Sequence, residues 1–175
     1  MTSSPQPEKA SCILIVDPDL DQGYCVALPL AGMGMKVTVS RAFLEAKSLL
    51  GSGEYGLLIS ALRLGEFNGL HLVVRANAIG SGIQAIVTEV VRDPVLQAEA
   101  ERLGATYLVT PIPQTEFLAA VSRTLARAGG DPLPPITGPF ERRWIDRRLA
   151  SMAPLPTDRR RGDRRKGFGL IVRSA

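Results

Sequence analysis

The sequence predicts an α/β chain: a doubly wound, five-stranded parallel sheet over residues 11–128, followed by an arginine-rich C-terminal tail. Three observations predict it. Short apolar runs rich in β-branched residues alternate with helix-like stretches five times before residue 128. The runs are continuous rather than alternating, as strands covered on both faces require. Beyond residue 139 the aliphatic residues thin out and arginine takes over.

The elements follow in order. Residues 12–16 (CILIV) form the first strand, ending in Asp17. A helix is predicted over 20–30, a strand over 35–39, and a helix over 42–50 with Ser40 as N-cap and Gly51 as stop. Residues 56–60 are a short strand, 70–78 a helix, and 83–88 a strand. Asp93 caps a helix with Pro94 at its first turn, which Gly104 ends. Residues 106–109 give the fifth strand. Residues 115–128 form a helix with Leu118, Val121, Ser122 and Leu125 on one face. Ligand or catalytic groups in such sheets gather at the carboxyl ends of the strands, here Asp17, Ser60, Ala61, Thr88 and Thr110.

Residues 1–10 are polar and expected to be disordered, and do not read as a signal peptide. No apolar run reaches the length of a membrane span, so a cytoplasmic protein is expected. Cys12 and Cys25 sit in apolar surroundings and are read as buried, reduced thiols. A single histidine, His71, is poor material for a metal site or a triad. The sequence offers no catalytic or metal-ligand set, and no cofactor is implied.

Residues 129–139 (GGDPLPPITGP) cannot continue a helix and read as a linker. The formal charge of +4 is unevenly shared. Residues 1–130 hold 10 basic and 12 acidic side chains, whereas 131–175 hold 11 and 5. Ten of those eleven are arginine. Residues 140–175 alone lack the apolar area to offset ordering entropy, so this ligand-binding tail is expected to stay largely disordered without a ligand. Leu170, Ile171 and Val172 are an apolar island, read either as an added strand or as a piece packed on the tail.

The order of elements and the stretches ILIVDPD, LLISALRL, IVTE and GATYLVTPIP resemble the receiver domains of two-component response regulators, which have the flavodoxin-like fold. The resemblance implies an acidic pair after strand one, a phosphoacceptor aspartate after strand three, a Ser/Thr after strand four and Lys-Pro after strand five. Asp17 and Thr88 fit. Pro18 replaces the second acid, Ala61 stands at the acceptor position, and Thr110 replaces the lysine ahead of Pro111. Tyr107 matches the family's aromatic switch position. Alanine has no nucleophile for an acyl phosphate, so a receiver that cannot be phosphorylated there is expected.

In the tail, residues 141–148 (ERRWIDRR) align without gaps to 158–165 (DRRRGDRR). The pattern acid-Arg-Arg-x-x-Asp-Arg-Arg recurs at an offset of 17. A generic basic arm has no use for an aspartate inside each arginine cluster, because acid weakens attraction to phosphates. Guanine suits both residue types. Arginine donates bidentately to O6 and N7, and a carboxylate accepts from the ring N–H and amine on the opposite edge. The candidate set is Arg142, Arg143, Trp144, Asp146, Arg147 and Arg148 in the first copy. Arg159, Arg160, Arg161, Asp163, Arg164 and Arg165 form the second, with Phe168 as a further stacking face. Trp144 and Arg161 occupy one position and both stack on bases. Two guanine-reading motifs with arginines left for phosphate point to a guanine dinucleotide.

Arg143-x-x-Asp146 and Arg160-x-x-Asp163 are similar to the RxxD units of cyclic di-GMP binders, and the whole chain resembles the Cle group of CheY-like effectors. That resemblance implies a tail wrapping cyclic di-GMP as a stacked dimer. It also implies a receiver-like domain docking on a protein partner such as the flagellar motor switch, and recruitment to the flagellar pole. The alternatives are an RNA- or DNA-binding arginine arm on an adaptor, a tail for another anionic or protein partner, and a solvated charge run. The first explains the arginines and Trp144 but not the paired aspartates.

Overall fold

A computed structural model describes residues 11–80, 82–127 and the backbone of 170–172. The N-terminal decapeptide, the linker 129–139 and the tail 140–169 lie outside the described residues. The elements are β1 (Cys12–Val16), α1 (Leu20–Gly32), β2 (Lys36–Ser40), α2 (Phe43–Leu50), β3 (Leu57–Ala61), β4 (Arg63–Leu64), β5 (Phe67–Asn68), α3 (Leu70–Ile79), β6 (Gln84–Glu89), α4 (Pro94–Arg102), β7 (Thr106–Val109), α5 (Gln114–Arg127) and β8 (Leu170–Val172). One parallel sheet has the order β7-β6-β3-β1-β2-β8. Its first five strands are the predicted sheet. The sixth is the apolar island, which takes the added-strand option beside β2.

Alternation along the strands builds two cores. Leu14, Val16, Leu58, Ala85 and Val87 pack against Ala46 and Leu50 of α2, Leu72 and Val73 of α3, and Ala100 of α4. Ile13, Ile15, Val37, Val39, Leu57, Ile59 and Ile86 face Ala27 and Leu30 of α1 and Phe117, Leu118, Val121 and Leu125 of α5. Each fully buried aliphatic side chain contributes about 1.5–3 kcal/mol of transfer free energy. Among the described residues no helix is long and apolar enough to cross a membrane.

Most element ends follow their local chemistry. The Asp19 carboxylate caps α1 by accepting from the Asp21 and Gln22 amides, and Asp93 caps α4 through the Val95 and Leu96 amides. Gly104 follows α4 with a φ of +81°, a conformation L side chains resist. Two expectations need correction. Ser40 ends β2 rather than capping α2, whose N-cap is Ala42; the Ser40 hydroxyl instead accepts from the Ala42 amide and donates to Glu45 Oε2. The cysteines are not buried: Cys12 is half-buried, and Cys25 is exposed because Gly23, Ala27 and Leu30 take the inner face of α1. The β4–β5 hairpin was not predicted, since two-residue strands carry no periodic signal.

This hairpin turns the chain back so that Gly69 lies against the end of β3. The Gly69 amide donates to the Leu62 carbonyl at 2.7 Å. A Cβ at Gly69 would overlap the Ala61 carbonyl oxygen and stand 2.7 Å from Ser60 Oγ. Backbone cannot retreat as a flexible side chain can. Gly69→Ala is therefore expected to lose about 1–3 kcal/mol of stability, as overpacking does, measured by urea unfolding of the full chain.

Candidate functional site

The carboxyl ends of β1, β3, β6 and β7 meet above the sheet, where the parallel register fixes the neighbours. Ala61 lies beside Thr88, and Thr88 beside Leu108. Asp17 follows β1, its amide bonded to the Ser40 carbonyl at 3.0 Å. Thr110 follows β7, its amide and hydroxyl both donating to the Glu89 carbonyl, at 2.8 and 3.3 Å. Thr110 and Pro111 are joined by a cis peptide bond. The strand ends thus gather Asp17, Ala61, Thr88 and Thr110 as the sequence predicts, with Ala61 contributing only a methyl group where an acyl acceptor needs a carboxylate.

The acids that remain are engaged locally. Asp17 Oδ1 accepts from the Asp19 amide at 2.9 Å, and Asp19 is spent as the α1 cap. Burial pushes the Asp17 carboxyl above the usual carboxylate range, the Asp19 amide pulls it back, and the nearby Asp19 charge raises it further. Among the described residues no group of three or more His, Cys, Asp or Glu side chains is placed to hold a metal ion. An open depression beside this end of the sheet is lined by Pro18, Asp19, Leu20, Asp21 and Arg41, not by Ala61, Thr88 or Thr110.

One pair that the sequence reading missed spans the vacated position. Glu89 ends β6 with its side chain only 6% exposed. Its Oε2 accepts from Arg63 Nε at 3.0 Å and its Oε1 from the Val90 amide at 2.8 Å. Arg63 comes two residues after Ala61, so the ion pair ties the end of β3 to the end of β6. The signal was a glutamate closing an otherwise apolar strand, a place where a charge needs a partner. The Leu62 amide donates to the Thr88 carbonyl at 2.8 Å, giving a second tie at the same place.

The loop after β6 is held from the other side as well. The Tyr107 hydroxyl, half-buried at the predicted switch position, accepts from the Asp93 amide at 3.2 Å. Between these ties stand Val90 and Val91, each 69% exposed; Val95, just past them on α4, is 77% exposed. Val109, the register partner of Glu89, is also exposed. The doubled arginine motif, residues 142–148 and 159–165 with Phe168, lies outside the described residues.

Two outcomes test these arrangements. Arg63→Ala leaves the Glu89 carboxylate buried without its cation. It is expected to cost about 1–2 kcal/mol, less than a fully buried pair because Arg63 itself faces solvent, and Arg63→Ala/Glu89→Gln should regain most of it; denaturant unfolding of both variants measures the coupling. For Asp17, the folded state holds the proton more tightly than the unfolded state. Stability therefore falls as pH rises from the ordinary carboxylate range through the raised value, and the cost is complete above it. Asp17→Asn should raise Tm at pH 7, and the gain should vanish near about pH 3, where both states are protonated.

No protein-family model matches the chain. It is 30% identical over 118 residues to the "Probable transcriptional regulatory protein SilR" of Salmonella typhimurium, a match covering 67% of this chain and 51% of SilR. The chain thus spans about half the length of that curated relative. Among solved structures, the chemotaxis protein CheY4 of Vibrio cholerae superposes with a TM-score of 0.60 at 20% identity, covering 65% of this chain and 97% of CheY4. A two-component response regulator from Clostridium difficile gives 0.61 at 21%, covering 66% and 96%. A response regulator from Burkholderia pseudomallei with a phosphorylated aspartic acid and a calcium ion gives 0.60 at 22%, covering 67% and 70%. At these identities the likeness is one of fold: the domain formed by residues 11–127 has the flavodoxin-like fold of response-regulator receivers.

Proposed function

We propose that the chain is a non-enzymatic signalling effector that binds cyclic di-GMP through its doubled arginine motif and docks on a protein partner through its receiver-fold domain. One observation carries the reading: the acid-Arg-Arg-x-x-Asp-Arg-Arg pattern occurs twice, in register, behind a receiver-fold domain with Ala61 at the acceptor position. Without a carboxylate there, the acyl phosphate that switches a receiver cannot form at Ala61. The tail supplies a different input. Arg142, Arg143, Arg147 and Arg148, with Arg159, Arg160, Arg161, Arg164 and Arg165, bond guanine O6 and N7 and the phosphates. Asp146 and Asp163 accept from the opposite guanine edge, and Trp144 and Phe168 stack on the bases. Two motifs suit a stacked pair of dinucleotides.

The exposed valines Val90, Val91, Val95 and Val109 support docking through the face formed by the β6–α4 loop, α4 and the end of β7. The resemblance to the Cle group makes the flagellar motor switch the partner, so the site of action is the cytoplasmic face of the flagellar pole. No observation favours a nucleic-acid arm over this reading, and the paired aspartates speak against it.

The test is calorimetry of cyclic di-GMP into the full chain. Micromolar or tighter binding is expected. Asp146→Ala and Asp163→Ala each remove a charged acceptor, a loss of about 1.5–3 kcal/mol, or roughly tenfold or more in Kd. Unchanged affinity in the double variant would refute the base-edge argument. Equal binding of single-stranded RNA, with a steep salt dependence and no guanine preference, would favour the arm instead.

A further inference from the structure

We infer that the face shared by α2 and α3 is a second docking surface, one that takes an acidic amphipathic helix of another protein. It is separate from the strand-end valines and does not rest on the cyclic di-GMP reading. Seven large hydrophobic side chains stand exposed among the described residues. Val90, Val91, Val95 and Val109 belong to the strand-end face. The other three are Leu44 of α2 at 65%, Phe67 of the β4–β5 hairpin at 40% and Val74 of α3 at 49%. Single exposed apolar residues need no explanation, but a group gathered around one feature marks a contact surface.

The feature is Phe43, in the first turn of α2. Its ring stacks on Phe67 with centroids 4.4 Å apart and planes 7° from parallel. It meets His71 of α3 edge-on, at 6.4 Å and 80°. The hairpin and the first turns of both helices thus share one aromatic cluster. Phe43 is half-buried and packs on the core, whereas Phe67 and His71 remain open to solvent. Asn77 of α3 donates to the Leu103 carbonyl at 2.9 Å, so that side of α3 faces α4, and His71 stands on the side facing α2. Val74 lies one turn after His71 on the outer surface of α3, and Leu44 follows Phe43 on the outer surface of α2.

Charge selects the partner. Lys47 lies one turn after Phe43 and Leu44, and Arg75 one turn after His71; both are exposed, and neither is in an ion pair with a described residue. The single acid on the two helices, Glu45, turns away to β2 and accepts from the Ser40 hydroxyl at 2.6 Å. Glu66, beside Phe67 in the hairpin, is the exposed acid that adjoins the cluster in sequence. Of the neighbouring cations, Arg63 is paired with Glu89, and Arg41 stands with Asp19 and Asp21. A second copy of the chain would set Lys47 and Arg75 against their own kind, which costs affinity. Anionic lipid calls for about four to eight cations, more than this face carries. A helix with apolar anchors along one stripe and carboxylates beside it fits both parts, its anchors on Phe67 and Leu44 and its acids on Lys47 and Arg75.

The experiment is an NMR titration of the full chain. His71 is its single histidine, so the imidazole resonances report on this face without ambiguity. One probe is a synthetic helical peptide with Leu and Phe along one stripe and glutamates beside it; the other carries lysines in place of the glutamates. The glutamate peptide should shift His71 and the amides of residues 43–48 and 71–75. The lysine peptide should bind roughly tenfold more weakly, because two exposed pairs turn from attraction to repulsion. Lys47→Glu/Arg75→Glu should invert that preference. Leu44→Ser/Val74→Ser should weaken both peptides and leave the urea midpoint unchanged, since both side chains face solvent. No shift at His71 up to millimolar peptide, equal binding of the two peptides, or shifts confined to residues 90–95 would overturn the inference. Shifts that grow with protein concentration alone would assign the face to a second copy. Shifts with phosphatidylserine vesicles but with neither peptide would assign it to a membrane, and either result overturns the helix. Cyclic di-GMP binding stands or falls separately from all of these.

Discussion

Leu14 and Leu58 face one helical layer, Ile15 and Ile59 the other, and none of the four is more than 2% exposed. Burial of β1 and β3 on both faces is the constraint on which the rest of the domain depends. It requires continuous apolar strands, helices on both sides and parallel crossovers that return over each face. It also leaves little room for polar chemistry along the strands. Along the strands the described side-chain polar contacts include the buried Tyr55 hydroxyl donating to Thr38 Oγ1 at 3.3 Å, and the charged groups stand at the strand ends or outside the sheet. The positions Asp17, Ala61, Thr88 and Thr110 are therefore the informative ones, and the residues that stand there leave the core undisturbed.

At the strand ends the described polar groups form a set of fixed ties. Glu89 is a carboxylate in a place that would penalise an unpaired charge by several kcal/mol. Arg63 and the Val90 amide satisfy it. The Tyr107 hydroxyl holds the far end of the same loop through the Asp93 amide. A receiver that switches needs two arrangements of this loop close in energy. Here the tie at each end of residues 90–93 favours one arrangement, in which Val90 and Val91 stand in solvent.

The alternating pattern made the fold legible because each strand and helix carries its own period, and Asp93-Pro94 and Gly104 marked their helix ends by local chemistry alone. What escaped depends on contacts far apart in sequence. The Arg63–Glu89 pair is 26 residues apart, and nothing in the stretch around either residue names the other as its partner. Ser40 looked like an N-cap because it precedes an apolar run, but β2 extends through it and the turn begins two residues later. Cys25 sits among apolar neighbours in sequence, yet the helix turns it outward. Leu170, Ile171 and Val172 read as a possible strand, but nothing in them names β2 as the neighbour, because without β8 the sheet has two open edges, β2 and β7. The arginine motif was legible as a repeat for the opposite reason, since its register is a property of sequence alone.

The two ends of the sheet divide the work. The tied loop and the exposed valines lie at the carboxyl ends of the strands, whereas Arg127 and Leu170, from which residues 128–169 depart, lie at the amino ends. A sheet buried on both faces is a stiff body of low compressibility. Helix α5 is different: it begins just past Thr110 and Pro111 at one end and finishes against Thr106 at the other. Its inner face is fixed by Phe117, Val121 and Leu125, and its last turn adds the Thr124–Thr106 hydroxyl contact and the Arg127 guanidinium to the burial of Leu125. Helix α5 and strand β8 are the two described elements between which residues 128–169 run in sequence.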